Sequence, residues 1–380
     1  MIKAASETVL VYRHRLIPLS EAAFVGRFYS GFERLSPVWL GYHLDKGASI
    51  VTDKPLRIGR DGALGALDRA LFRHLGVMPP APDLRRVKPR VIHALFGRGG
   101  AMALPLARAL GVPLVVTFLG ADATKEKHYQ RRLIPPVYAR RLAALQREAA
   151  LFTCLSGFLR DTLVARGFPP EKIEVIHHGA AIVDVPPEPL ANRVPYLLFV
   201  GRFVEKKGVT YLLDAMRVLR MRGLATRLVL IGDGPLGPQL REQARDIADI
   251  EFLGWLPTPE IRRWMRSALA LCVPSVTAAD GDAEGLPTVV FEAMSEGTPV
   301  VGSRHAGIPE AVISGDTGLL VAEADTEGLA ASLAELIETP GLRQSLGAAA
   351  SIAARERFDA RRQSRRLEQA LLRVADEARP

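Results

Sequence analysis

Short apolar runs rich in β-branched residues alternate with segments of helical periodicity along most of this chain. Runs such as "PLVVTFLG" (113–120) and "TRLVLIG" (226–232) carry no polar face, and amphipathic stretches such as "GVTYLLDAMRVLRMRG" (208–223) separate them. A strand that is apolar on both sides must be covered on both sides, which is the signature of a parallel sheet between helical layers. The pattern begins with "MIKAASETVLVYRHRL", read as a first strand. It continues through "RVIHAL" (90–95), "LFTCLS" (151–156) and "KIEVIHHG" (172–179). After an interruption it resumes with "YLLFVG" (196–201), "IEFLGW" (250–255), "LALCVPS" (269–275), "PVVGS" (299–303) and "TGLLV" (317–321).

The interruption is "VDVPPEPLANRVPY" (183–196), dense in proline, which fixes φ and removes donors. At 380 residues the chain is too long for one ordinary core and suits two. The reading is therefore two doubly wound, Rossmann-like α/β domains, residues 1–187 and 188–357, whose ligand lies in the cleft they face. A helix over 358–380, with Leu367, Leu371, Leu372 and Val374 as its apolar stripe, follows the last strand.

Charge separates the halves. Residues 1–187 hold 27 Lys and Arg against 15 Asp and Glu, and the remainder hold 23 against 26, so +12 faces −3. A basic half suits an anionic partner. Nucleic acid is set aside because no basic stripe interleaved with aromatic residues is visible. Within 125–152, Lys125, Lys127, Arg131, Arg132, Arg140, Arg141 and Arg147 alternate with Leu133, Ile134, Val137 and Tyr138. This stretch is either an exposed basic helix or a peripheral contact with an anionic membrane face. No apolar run approaches a membrane span, and the first residues carry charge where a signal peptide needs its apolar core. A cytoplasmic protein is expected, with Cys154 and Cys272 as buried thiols.

"GDGPLG" (232–237) has the spacing of a dinucleotide fingerprint. It follows the second strand of its half rather than the first, and Pro235 and Pro238 remove amides that a pyrophosphate would need. It reads as a tight strand-to-helix turn, with Gly232 and Gly234 letting a ligand approach the backbone.

Chemistry concentrates in "EGLPTVVFEAMSEGTPVVGSRHAGIPEAV" (284–312). Pro287 suits the first position of a helix, so the amides around Gly285, Leu286, Thr288 and Val289 would be open to an anion. Eight helical positions from Glu284 to Glu292 amount to a rise of roughly 12 Å, too far for two carboxylates flanking one bond. They would touch different parts of one extended ligand, as a nucleotide-sugar is. Arg202 and Lys207 in "GRFVEKKG" (201–208) follow the first strand of this half and would stabilise a leaving diphosphate. Lys206 competes with Lys207 as a merely solvated charge. No D-x-D-like pair is read near the donor site, so no metal and no cofactor are expected.

At this point the second half resembles the retaining GT-B glycosyltransferases of the glycogen-synthase, sucrose-synthase and phosphatidylinositol-mannosyltransferase type. The resemblance rests on G-R-x(4)-K-G at 201–208, G-D-G-P at 232–235, "FLGW" at 252–255, "PS" at 274–275 and E-x(7)-E at 284–292, followed by "GTPVVGS…GIPE" and "TGLLV". It implies that Arg202 and Lys207 bind the donor diphosphate, that Glu284 contacts the donor sugar and that Glu292 binds the ribose hydroxyls. It implies a UDP- or GDP-sugar as donor substrate, and a terminal helix that crosses back to the first domain. The first half resembles exopolysaccharide and lipopolysaccharide transferases more loosely. "TFLGAD" carries Leu119 where the family often has histidine and keeps Asp122, and "RLIPLSEAAFVGRF" stands where a glycine-rich loop is usual.

His93, Asp122 and His178 are the acceptor-side candidates, His93 being as well read as a satisfied core histidine. Trp255 would border a base pocket or close a core. The function expected is retaining, metal-independent sugar transfer to a glycan, lipid-linked or small-molecule acceptor in cell-surface polysaccharide synthesis. A silent scaffold subunit or an epimerase or phosphorylase of the same fold is the alternative.

Overall fold

The computed structural model describes residues 7–16, 25–44, 55–60, 62–79, 82–125, 136–182 and 195–379. The chain divides into two compact units, Met1–His178 with Ala360–Pro380, and Gly179–Asp359. The first boundary thus falls nine residues ahead of the one expected after residue 187, and most of the proline-dense stretch lies outside the described residues. The terminal helix Ala360–Glu377 belongs to the first unit.

The first unit holds seven parallel strands: β1 (Glu7–Leu16), β2 (Leu35–Leu44), β3 (Leu56–Arg57), β4 (Val91–Leu95), β5 (Leu114–Phe118), β6 (Leu151–Cys154) and β7 (Ile173–Val175). Their order is β3-β2-β1-β4-β5-β6-β7. β2 and β3 had no counterpart in the sequence reading. β2 carries Pro37 opposite Val9 of β1, yet β3 pairs with β2 only at Leu40 and Gly41, so the proline sits where its strand has one neighbour. The terminal helix is fixed to this unit by polar contacts as well as by Leu367, Leu371 and Val374. The Glu368 carboxylate accepts the backbone N–H groups of Glu33, Arg34 and Leu35 at 2.7–3.0 Å, and the Ser364 hydroxyl bridges Gly31 N–H and the Phe28 carbonyl.

The second unit holds β8 (Tyr196–Val200), β9 (Arg227–Ile231), β10 (Ile250–Gly254), β11 (Ala270–Val273), β12 (Val300–Ser303) and β13 (Gly318–Val321), in the order β10-β9-β8-β11-β12-β13. This is the doubly wound order, with its topological switch point between β8 and β11. The unbroken apolarity of β8 has a direct cause. Leu197 and Phe199 face one core with the helices Val209–Met221 and Thr326–Glu338, while Tyr196, Leu198 and Val200 face another with Thr288–Ser295 and Pro340–Arg357.

Candidate functional site

In an open α/β sheet, ligands bind beyond the carboxyl ends of the strands at the switch point. In the second unit that place is occupied by the loop after β8, Gly201–Gly208, and the loop after β11, Pro274–Pro287. The two are laced together. Val276 N–H donates to the Lys206 carbonyl at 2.9 Å, and Ala279 N–H to the Glu205 carboxylate at 2.9 Å. Gly208 has φ +64°, and a Cβ there would lie 1.8 Å from the Pro274 carbonyl oxygen.

This lacing brings Glu284 and Lys207 together. Glu284 is buried, and its Oε1 lies 3.2 Å from Lys207 Nζ and 3.5 Å from Lys206 Nζ. Burial alone would raise its pKa, but the two ammonium groups outweigh that and hold it below the usual carboxylate value. Lys206 is not the solvated charge expected of it: it also pairs with Asp282 at 3.2 Å. Arg202 is exposed, and its guanidinium has no hydrogen-bond or ion-pair partner among the described residues.

The backbone of Glu284 is held as firmly as its side chain. Its N–H donates to His305 Nε2 at 3.2 Å, which leaves His305 Nδ1 to carry the proton and donate to Glu323 at 2.7 Å. Glu323 in turn accepts Thr277 N–H at 2.8 Å, closing the circuit onto the same loop. His305, Glu323 and Asp282 were missed by the sequence reading, because their roles depend on contacts 18–76 residues away. Asp280-Gly281-Asp282 also corrects it, since this is a D-x-D spacing two residues before Glu284. The Asp280 carboxylate accepts Asp282 N–H at 3.0 Å, and Asp282 is bound to Lys206. Among the described residues no group of three His, Cys, Asp or Glu is arranged to hold a metal ion.

The helix Thr288–Ser295 starts one residue later than expected, with Pro287 as an extended N-cap at ψ 125°. Only Thr288 to Glu292 is helical between the two glutamates, so their separation is not the helical rise inferred from sequence. Gly285, Leu286 and Pro287 form the buried entry; the Thr288 and Val289 amides open the helix, and Glu292 is buried in its second turn.

Gly232 and Gly234 are brought against the loop after β8, which explains why both are glycine. A Cβ on Gly232, at φ +137°, would lie 1.9 Å from the Gly201 carbonyl oxygen, and one on Gly234 2.5 Å from that of Phe203. The amides of this turn are already used: Gly232 donates to Gly254, Leu236 to Phe203, Gly237 to Gly234, and Gly234 to the Asp233 side chain. The turn is a weld between loops, and no amide array for a pyrophosphate is left in it. Trp255 is 66 % exposed and closes no core.

In the first unit the three acceptor-side candidates separate. His93 is wholly buried in β4, where Tyr29 and Thr117 hydroxyls occupy its two ring nitrogens at 2.7 and 2.6 Å. Burial pulls its pKa down to about 3, so it is a neutral core histidine without a face for a ligand. His178 is buried edge-on against Phe28, with ring centroids 4.6 Å apart. Asp122 lines a pocket. Its carboxylate accepts the N–H groups of Gly97, Leu119 and Gly120 at 2.9–3.0 Å, and burial nevertheless pushes its pKa up.

The basic stretch over 125–152 is also corrected in part. Val137 and Tyr138 are core residues, and Arg141 caps the carbonyls of Ala101, Phe72 and Arg73. Lys127, Arg131, Arg132, Leu133 and Ile134 lie outside the described residues. Among the described residues no helix is long and apolar enough to cross a membrane.

Residues 194–339 match the model "Glycosyl transferases group 1", and residues 27–179 match "Glycosyl transferase 4-like domain". The chain is 35% identical over 254 residues to the amylovoran biosynthesis glycosyltransferase AmsK of Erwinia amylovora, covering 63% of this chain and 60% of that one. It spans about three fifths of the length of this relative and of the putative colanic acid biosynthesis glycosyltransferase WcaL of Salmonella typhimurium. It is 28% identical over 352 residues to a GDP-mannose-dependent phosphatidylinositol monomannoside mannosyltransferase of Mycolicibacterium smegmatis, covering 86% and 87% of the two chains. Its fold is that of Anabaena HepE, solved with UDP and also with UDP-glucose. For the UDP complex the TM-score is 0.75 at 19% identity, over 97% of this chain and 100% of that one. With both units accounted for by sequence and by fold, the chain belongs to the group 1 glycosyltransferases of the GT-B fold.

Proposed function

We propose that this protein transfers a sugar from a nucleotide-diphospho-sugar to an acceptor hydroxyl, with retention of anomeric configuration, in the synthesis of an extracellular polysaccharide. The observation that carries this reading is the pairing of Lys207 with buried Glu284 at the switch point of the second unit, beside exposed Arg202. Arg202 and Lys207 neutralise charge as it builds on the departing diphosphate, the dominant demand of such a reaction. Glu284, kept ionised by two lysines and held at its backbone by His305, contacts the donor sugar. Glu292 takes the ribose hydroxyls, and the entry Gly285-Leu286-Pro287 with the Thr288 and Val289 amides lies against the donor.

The donor is a UDP- or GDP-sugar. Support comes from HepE, solved with UDP and UDP-glucose, and from the GDP-mannose-dependent relative. The reaction uses these cations in place of a metal and needs no cofactor. The protein works in the cytoplasm, at the membrane face where an anionic acceptor is presented, drawn there by its basic first half.

Arg202→Ala is expected to lower kcat/KM by about 10²–10³, the loss typical of one charge-stabilising group. Activity within about threefold of wild type would remove Arg202 from the site. NMR of the product is expected to show the donor's anomeric configuration and turnover that survives EDTA. An inverted product, or complete loss in EDTA, would refute the mechanism.

A further inference from the structure

One buried ring joins the loops after three strands of the second unit. His305, 1 % exposed, follows β12, while Glu284 lies after β11 and Glu323 after β13. A backbone N–H can only donate, so Nε2, the ring nitrogen 3.2 Å from the Glu284 nitrogen, must present a lone pair. The ring's one proton then sits on Nδ1 and is given to Glu323 at 2.7 Å. Burial would raise the Glu323 pKa, but the hydrogen bonds from the ring and from Thr277 N–H outweigh it and hold it below the usual carboxylate value. The contact with Glu284 therefore exists in one protonation state of His305, the neutral ring in a single tautomer.

The backbone is bent to place this ring. Ala306 adopts φ +48° and Ala324 φ +58°, and these left-handed alanines immediately follow His305 and Glu323. Alanine has no preference for that region, so the surroundings impose it, as folds do where functional groups are held in place. The same loop grips the donor entry a second time, since Gly307 N–H donates to the Gly285 carbonyl at 3.1 Å. Glu284 and Gly285 are thus held at two points, and one of them depends on a proton. The charged groups around the ring are the Glu323 carboxylate at Nδ1 and, on the Glu284 side, the Glu284 carboxylate with Lys206, Lys207 and Asp282. In its own segment Arg304 precedes it, exposed, and Glu310 follows in the short helix Ile308–Ala311.

We propose that His305 is a positioning residue that works as a proton-operated clamp on Glu284. With the ring neutral the clamp is closed. When a proton from solvent bonds to Nε2, the lone pair is consumed, the hydrogen bond from Glu284 N–H breaks, and the new positive charge is matched by Glu323. Glu284 then loses its fixed place, while Arg202 and Lys207 keep theirs, so acid slows sugar transfer without releasing the nucleotide. The effect on transfer rests on the assignment of Glu284 to the donor sugar; the clamp itself does not.

Hydrogen exchange of the Glu284 amide, followed at residue resolution in the full chain and corrected for intrinsic exchange, tests the clamp. It is measured from about pH 5 to about pH 8, the range in which neighbours move an imidazole's charge. Wild type, His305→Gln and Glu323→Gln are compared, each shown by circular dichroism to melt cooperatively. The side-chain oxygen introduced by His305→Gln is an acceptor that no proton removes in this range. Wild type is expected to lose protection at Glu284 roughly tenfold as pH falls, and His305→Gln to keep its protection flat. Glu323→Gln removes the charge that favours the imidazolium, so its protection is expected to fall at lower pH than in wild type. If His305→Gln does not fold, that shift alone decides. Release of nucleoside diphosphate from UDP-glucose and from GDP-mannose is followed alongside: kcat is expected to fall with the protection while the donor KM stays within about threefold. Protection that is flat in wild type, or that falls at the same pH in every chain that folds, would overturn the clamp. A donor KM that rises in step with the fall in kcat would overturn the positioning role. Failure of wild type to bind either donor in a thermal-shift assay would refute the donor assignment and leave the exchange result to decide the clamp.

Discussion

Glu284 keeps its charge where burial opposes it, and His93 loses its charge for the same reason. The difference lies in partners: two ammonium groups lie within 3.5 Å of Glu284, whereas only hydroxyls touch the ring nitrogens of His93. This has a consequence for stability. The folded pKa of His93 is about 3, below its ordinary 6.5, so between those values the unfolded chain binds a proton that the folded chain refuses. The contribution is fully present above 6.5 and is lost as pH falls toward 3, with a slope of up to about 1.4 kcal/mol per pH unit. Urea melts of His93→Gln across this range are expected to depend less steeply on pH than those of wild type. An unchanged slope would mean that His93 does not titrate as its burial dictates.

At the scale of elements, the glycine turn after β9 serves packing before it serves a ligand. Gly234→Ala places a methyl group 2.5 Å from the Phe203 carbonyl oxygen and is expected to cost about 1–3 kcal/mol. Gly341→Ala, in the helix Pro340–Arg357 with nothing within 4 Å, is expected to stabilise by up to about 1 kcal/mol. Equal effects in denaturant melts would sink this account of the turn. Most strands were legible in the sequence because a strand covered on both faces writes itself as an unbroken apolar run, as in "YLLFVG" and "PLVVTFLG". β2 was not, because "LSPVWLGYHL" contains a proline that only an edge position permits. Of the candidate site, the placement of Arg202 and Lys207 after β8 and of Glu284 and Glu292 around the start of the helix Thr288–Ser295 was legible in the sequence. His305, Glu323 and Asp282 were not, since His305 meets Glu284, Glu323 meets His305 and Thr277, and Asp282 meets Lys206 through loops after different strands. His93 was legible only as a histidine near a strand end; its burial between Tyr29 and Thr117 depends on residues 64 and 24 positions away.

At the scale of the whole molecule, the chain leaves the first unit, builds the second, and returns a helix to the first. Glu368 holds three backbone N–H groups of that unit, so Glu368→Ala leaves buried donors unpaired and is expected to cost about 2–4 kcal/mol. The loss should appear in the unfolding of the first unit, followed by hydrogen exchange of β1 and β2, with the amides of β8 to β13 unaffected. Equal loosening of both units would place the anchor elsewhere. The central claim concerns the second unit: Arg202 and Lys207 capture a nucleotide-sugar diphosphate beside Glu284. A thermal-shift comparison of wild type with the Arg202→Ala, Lys207→Ala double variant, against UDP-, GDP-, ADP- and dTDP-sugars, tests it most directly, because binding to the folded state raises the melting temperature by mass action. A UDP- or GDP-sugar is expected to raise the melting temperature of wild type, and the double variant is expected to lose the shift while its ligand-free melt stays cooperative. A shift of the same size in the double variant, or none with any donor in wild type, would contradict it.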